Sequence, residues 1–299
     1  MKRMKSIVKE YPVAVYFLLT FAITWICVFP MIVTTGQDLG PVVGVIVGVL
    51  FTGGLAFGPA ISAIIVTSIE SGRSGIRELF GRTIKLRVGV QWYLAAVFVP
   101  AFLYLSAGGL NLLFKGSFSI DLLNRYPYRD YISQFSMYDP VLVAVVVAIV
   151  FFVDILFLSG FEEVGWRGYA LPKLQGRYRY NAVISSLIIG VVWGFWHLPL
   201  FFLPGTAQYG YFFPAYLIGT LGMAFILTWV YNNTQSIFVV ILLHTMENFS
   251  FWAFALYPRT SYLMYWLLYL VVEWAFVIVL ILIFGVAKLS RNAHVRSHD

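Results

Sequence analysis

An all-α, polytopic membrane bundle of about eight transmembrane helices is the fold class the sequence predicts. Three observations carry that expectation. Of 299 residues, 61% are hydrophobic and only 11% are charged, where a soluble domain carries about 25% charged residues. Apolar runs long enough for a span of about 20 residues recur along the chain. The basic residues fall in the gaps between those runs, as topology signals do.

Taken in order, the apolar segments are 12–34, 45–69, 91–114, 140–161, 182–203, 211–231, 236–257 and 261–286. The first follows Met-Lys-Arg-Met-Lys, which resembles the start of a signal peptide. Its apolar run, Tyr11 to Val33, is longer than the usual signal core and has no small-residue cleavage site, so a retained first span is the better reading. The stretch 39–69 leaves room for a re-entrant or interfacial piece. Between it and the third span, Ile76, Leu79, Phe80 and Ile84 recur at helical spacing with Arg77, Arg82 and Lys85 between them. That pattern suits a short basic helix lying in the membrane interface, and equally a solvated basic loop.

With the N-terminus inside, alternation of eight spans assigns sixteen of the twenty basic residues to the inner side. They are Lys2, Arg3, Lys5, Lys9, Arg73, Arg77, Arg82, Lys85, Arg87, Arg167, Lys173, Arg177, Arg179, Lys288, Arg291 and Arg296. Only Lys115, Arg125, Arg129 and Arg259 remain outside. By the positive-inside rule both termini are expected in the cytoplasm. The net charge of +7 therefore reads as topology, with membrane lipid rather than nucleic acid as the surrounding partner. The lone cysteine, Cys27, sits in an apolar run and excludes an intrachain disulfide or a cysteine metal cluster. Residues 1–299 read as a single domain, with a motif-bearing core at about 140–257.

Ionisable groups inside spans are costly and need a partner or a purpose. Here they are Asp154, Glu162, Glu163, Arg167, His197, His244, Glu247 and Glu273, joined by the polar Asn248. Glu163 and Arg167 are i,i+4 and can pair on one helix face. Glu162 points about 100° away and stays available. The same pattern would also suit a salt bridge at a helix end. The fourth and fifth spans form a hairpin turning near Gly176–Asn181, and the midpoint of 162 and 197 falls in that turn. Glu162 and His197 then share one depth, provided the fourth helix runs on to about Leu174. His244 and Asn248 are i,i+4 on the seventh span, about 12 Å and about 18 Å from its inner end. Interhelical hydrogen bonding would account for them too. Together these groups form a set of parts for amide hydrolysis: a carboxylate and a histidine to deprotonate water, and a histidine with an amide to donate to an oxyanion.

The motifs Glu162-Glu163-Val164-Gly165-Trp166-Arg167, Trp193-Gly194-Phe195-Trp196-His197 and His244-Thr245-Met246-Glu247-Asn248 resemble the three signatures of the CPBP intramembrane protease family. That family includes type II CAAX prenyl endopeptidases and relatives linked to bacteriocin immunity. Its pattern is EExxxR, FxxxH, then HxxxN or HxxxD, and the likeness covers residues 161–248. The resemblance implies Glu162 as general base with His197 on the attacking water. It implies Glu163 and Arg167 as supports of that pair, and His244 with Asn248 as the oxyanion hole. It also implies an endopeptidase acting near the cytosolic membrane face, on a peptide or protein that is lipidated in the best-known cases. One departure is Trp193, where the family has Phe; an aromatic wall is kept. No bound cofactor is favoured. If a metal is present, zinc held by Glu162, His197 and His244 is the alternative, although no HExxH occurs. Two further functions stay open. One is a transporter or channel with a buried proton relay, whose polar groups would track across the membrane; Asp154 and Glu273 are expected to lie apart from the rest. The other is a non-catalytic immunity or scaffold protein.

Overall fold

The computed structural model describes residues 2–114, 140–254 and 262–291. Lys115, Arg125, Arg129, Arg259 and Arg296, like the side chain of Asp154, lie outside the described residues. Among the described residues there is no strand.

The helices follow the apolar runs. They are α1 (Lys2–Glu10), α2 (Pro12–Val33), α3 (Gly40–Thr83), α4 (Val90–Leu113), α5 (Pro140–Gly165), α6 (Leu171–Gln175), α7 (Ala182–Trp196), α8 (Phe213–Thr234), α9 (Ile237–Phe254) and α10 (Tyr262–Phe284). A π-helical turn, Trp166–Ala170, joins α5 to α6, and a 3₁₀ turn, Leu198–Phe202, follows α7. Six described segments are long and apolar enough to cross a membrane, and Ile237–Phe251 is a shorter apolar helix. The outward faces are hydrocarbon: Leu18, Ile26 and Phe29 on α2, and Val271, Ile278 and Leu282 on α10, are exposed. The chain is thus an integral membrane protein, apolar outside and polar within.

In lipid, burial of apolar surface gives little drive for helix association, so close packing and polar contacts take over. Helix α2 packs on α3, α3 on α5, α7 on α8, α9 on both α4 and α5, and α10 on α4 and α8. Buried hydroxyls find backbone carbonyls. Ser62 and Ser186 return to carbonyls four residues back, at 2.8 Å each. Thr24 on α2 donates across to Gly54 O on α3 at 2.9 Å. Where α5 ends, Gly165 lies so close to the Tyr16 hydroxyl and the Pro59 backbone that a Cβ would collide with both.

Helix α3 is continuous through 40–71, so the region around 39–69 holds no re-entrant loop. It bends at Gly72, whose φ of 59° only glycine adopts readily. Past the bend the basic segment is helical to Thr83. It docks on the bundle. Leu79 is buried, Arg82 Nη1 donates to the Tyr231 hydroxyl at 3.0 Å, and Lys85 Nζ donates to Thr234 O at 2.8 Å. Phe80 and Ile84 stay exposed.

The α8–α9 connection is tight. Gln235, at φ 51°, ends α8, and the Ser236 hydroxyl then accepts from Val239 N while donating to Lys85 O. This turn sets the depth of α9 relative to α8.

Candidate active site

Helix α5 delivers the acidic pair near its end. Beyond Gly165 the chain widens into the π turn, a local feature that often accompanies functional sites, and all five of its residues are buried. Arg167, inside that turn, reaches back to Glu163: Nη1 donates to Oε1 at 2.8 Å, with both side chains fully buried. The helix then continues through α6 to Gln175, past the Leu174 that the hairpin geometry required.

Helix α7 returns from Asn181, whose side-chain oxygen caps it by accepting from Ile184 N at 2.8 Å. At His197 it tightens into the 3₁₀ turn, where Pro199 has no N–H to give to the Phe195 carbonyl four residues back. Two tethers hold this end. His197 Nδ1 lies 3.0 Å from Trp193 O. A carbonyl only accepts, so Nδ1 carries the proton and Nε2 of the neutral ring keeps its lone pair. From α2, Trp25 Nε1 donates to Trp196 O at 3.0 Å.

Glu162, His197, His244 and Asn248 all line one cavity of about 240 Å³. Glu162 is 9% exposed and His197 8%, so both are close to dry. Glu163 does not line the cavity; it lies behind, where Oε1 accepts from Arg167 and also from His244 Nδ1 at 2.9 Å. The carboxylate thus supports His244 on α9, a partner the helix geometry alone did not give it. Asn248 Nδ2 donates to the Ser159 hydroxyl at 3.1 Å, which steadies the amide and leaves its second N–H unassigned.

Trp193 was read as an aromatic wall, and the structure gives it more to do. Its indole Nε1 donates to Glu162 Oε2 at 2.9 Å. The Arg167 guanidinium sits over its ring at 4.9 Å, and the His244 ring meets it edge-on at 5.2 Å. One residue therefore touches all three motifs. The available signal was the replacement of the family's Phe by a side chain with a donor. Ser159 had a weaker signal, a serine three residues before Glu162 on the same helix.

Two further carboxylates line the same cavity: Glu247 and Glu273. The sequence sets Glu273 apart from the other polar groups. It instead joins the others because α10 packs on α4 and α8, an arrangement no local pattern announces.

Zinc would need the three donors Glu162, His197 and His244 converged on one point. Among the described residues, no group of three His, Cys, Asp or Glu side chains is arranged to hold a metal ion.

Residues 140–250 match the family model described as type II CAAX prenyl endopeptidase Rce1-like. The CAAX prenyl protease 2 of Methanococcus maripaludis is 28% identical over 251 residues, covering 80% of this chain and 83% of that protein. The matched region runs from the start of α5 into α9 and contains every motif residue around the cavity. In that stretch the chain is similar to the type II CAAX prenyl endopeptidase Rce1-like family, and its three motifs stand in that family's order on the three helices that meet at the cavity.

Proposed function

We propose that the protein is an intramembrane endopeptidase that hydrolyses a peptide bond near the cytosolic face, through water activated by Glu162 and His197. The observation that carries this reading is the presence of Glu162, His197, His244 and Asn248 on the wall of one cavity. Trp193 occupies Glu162 Oε2, which leaves Oε1 for water. His197 offers the Nε2 lone pair to the same water. Glu162 takes a proton as the water attacks the scissile carbonyl. The oxyanion accepts from the free N–H of Asn248 and from His244 Nε2. To donate from Nε2 as well as Nδ1, His244 carries both protons, with Nδ1 donating to Glu163 Oε1. Collapse of the intermediate breaks the C–N bond, and the proton held by Glu162 passes to the leaving amine. Each proton is accounted for without a covalent intermediate.

We favour this metal-free course, and no step is assigned to a metal. The relative's name makes a prenylated CAAX tail one candidate substrate. Both termini and the basic end of α3 are assigned to the cytoplasm on the distribution of Lys and Arg.

The test compares purified wild type with Glu162→Ala on lipidated and unlipidated peptides, with and without a chelator. Cleavage by the wild type alone, insensitive to chelator, is expected. Equal cleavage by both proteins would remove Glu162 from the mechanism. Chelator-sensitive activity restored by zinc would replace the metal-free course.

A further inference from the structure

The proposed chemistry uses Glu162 and leaves two carboxylates of the cavity without a task. Glu247 lies on α9, one turn from His244. Its Oε1 accepts from the Tyr104 hydroxyl of α4 at 2.7 Å. Glu273 lies on α10, is 1% exposed, and has the Tyr269 hydroxyl 3.5 Å from Oε1. Its second oxygen, Oε2, is buried with no hydrogen-bond partner among the described residues. A buried carboxyl oxygen without a hydrogen-bond partner is an unfinished contact, costly away from water.

The surroundings of these two groups are of one kind. Tyr104 and Tyr269, which hold the two carboxylates, stack on each other at 4.4 Å between ring centres. Trp266 stacks on the other side of Tyr269 at 5.1 Å with an interplanar angle of 8°. All three rings line the cavity beside the carboxylates. Aromatic faces and carboxylates attract the same ligand chemistry, a cation. Among the described residues, no Lys or Arg lines the cavity to supply it. The Arg167 guanidinium sits over the Trp193 ring and is engaged by Glu163.

We propose that Glu247 and Glu273, with the stacked Tyr104, Tyr269 and Trp266, form a subsite for a cationic group of the peptide substrate, a Lys or Arg side chain close to the scissile bond. The proposal rests on the peptidase reading of the same cavity. It makes the enzyme selective for basic over neutral peptides and strongly averse to acidic ones.

The experiment uses the full-length protein in lipid nanodiscs. Labelled peptides are prepared that differ only by Lys, norleucine or Glu at one scanned position. At one position the wild type is expected to favour Lys over norleucine by about tenfold in kcat/KM, and Glu is expected to be the worst. Glu247→Gln and Glu273→Gln, which keep side-chain volume, should bring the Lys-to-norleucine ratio close to one. Equal rates for the three peptides at every position would overturn the subsite. Binding of the same peptides to the Glu162→Ala protein, read by fluorescence anisotropy, separates this inference from the hydrolytic one. Tighter binding of the Lys peptide in the absence of any turnover by wild type would keep the subsite and sink the peptidase mechanism. Equal binding of all three peptides would sink the subsite whatever the turnover.

Discussion

The indole N–H of Trp193 donates to Glu162 Oε2 across 2.9 Å, linking the second motif to the first inside the cavity. A family pattern with Phe at this position has no such donor. In this chain the proposed base is therefore held by its neighbour on α7, with one oxygen occupied and the other open.

Trp193→Phe tests that link. The ring is kept and the donor is lost. A hydrogen bond to a charged group is worth roughly 1.5–3 kcal/mol, and its role here is to orient Glu162 rather than to bind substrate. We expect kcat to fall about tenfold with KM little changed. Steady-state kinetics on a cleaved peptide measures the split. In a Glu162→Ala background the same substitution should have no further effect on the residual rate. A loss confined to KM would assign Trp193 to substrate contact instead.

Asn248→Ala removes the proposed oxyanion donor while leaving its helix intact. A lost donor of this kind costs about 10²–10³ in kcat. Ser159→Ala, which only frees the Asn248 amide from its anchor at 3.1 Å, should cost clearly less. Single-turnover rates of the two variants, compared at matched thermal stability, decide the order.

Arg167→Ala should destabilise the fold rather than act only on rate. Glu163 and Arg167 are both fully buried, and removing one member of a buried pair costs about 3–5 kcal/mol because a charge is left alone. Thermal unfolding in detergent should show a large fall in Tm. The double variant Glu163→Gln, Arg167→Met should lie closer to wild type than Arg167→Ala does. Additive losses would show that the pair is not coupled.

Two glycines give a packing test. Gly165→Ala puts a methyl against the Pro59 backbone and the Tyr16 hydroxyl, and overpacking of this kind costs about 1–3 kcal/mol. Gly109→Ala, on α4, meets nothing within 4 Å. It should be neutral or raise stability by up to about 1 kcal/mol, since alanine is the better helix former. Thermal unfolding of the two purified variants compares them directly.

Membrane sidedness is open to labelling. Cysteine introduced at Arg77 or Lys288, in a Cys27→Ser background, should react with an impermeant maleimide only after the cells are opened. Reaction in intact cells would reverse the proposed orientation.

Much of this protein was legible in its sequence, for reasons of period and solvent. Lipid demands apolar runs of near-fixed length, so the eight segments stood out, and the long helices fall on them. The Glu163–Arg167 pair was legible because it is local: i,i+4 spacing makes neighbours on any helix. The approach of Glu162 and His197 to one cavity was legible because a hairpin with a known turn has a computable register. The three motifs carried the likeness to the family.

Tertiary packing decided the rest, because it depends on how helices distant in sequence are rotated and stacked. Only the approach of α9 to α5 gives His244 to Glu163 and Asn248 to Ser159. The rotation of α7 aims the Trp193 donor at Glu162. The seating of α10 against α4 and α8 brings Glu273, which the sequence set apart, onto the wall of the same cavity. Spacing along one helix is set by the backbone hydrogen bonds of that helix. Which helices face one another in lipid is set by side-chain fit over the whole bundle, and no single segment contains that information.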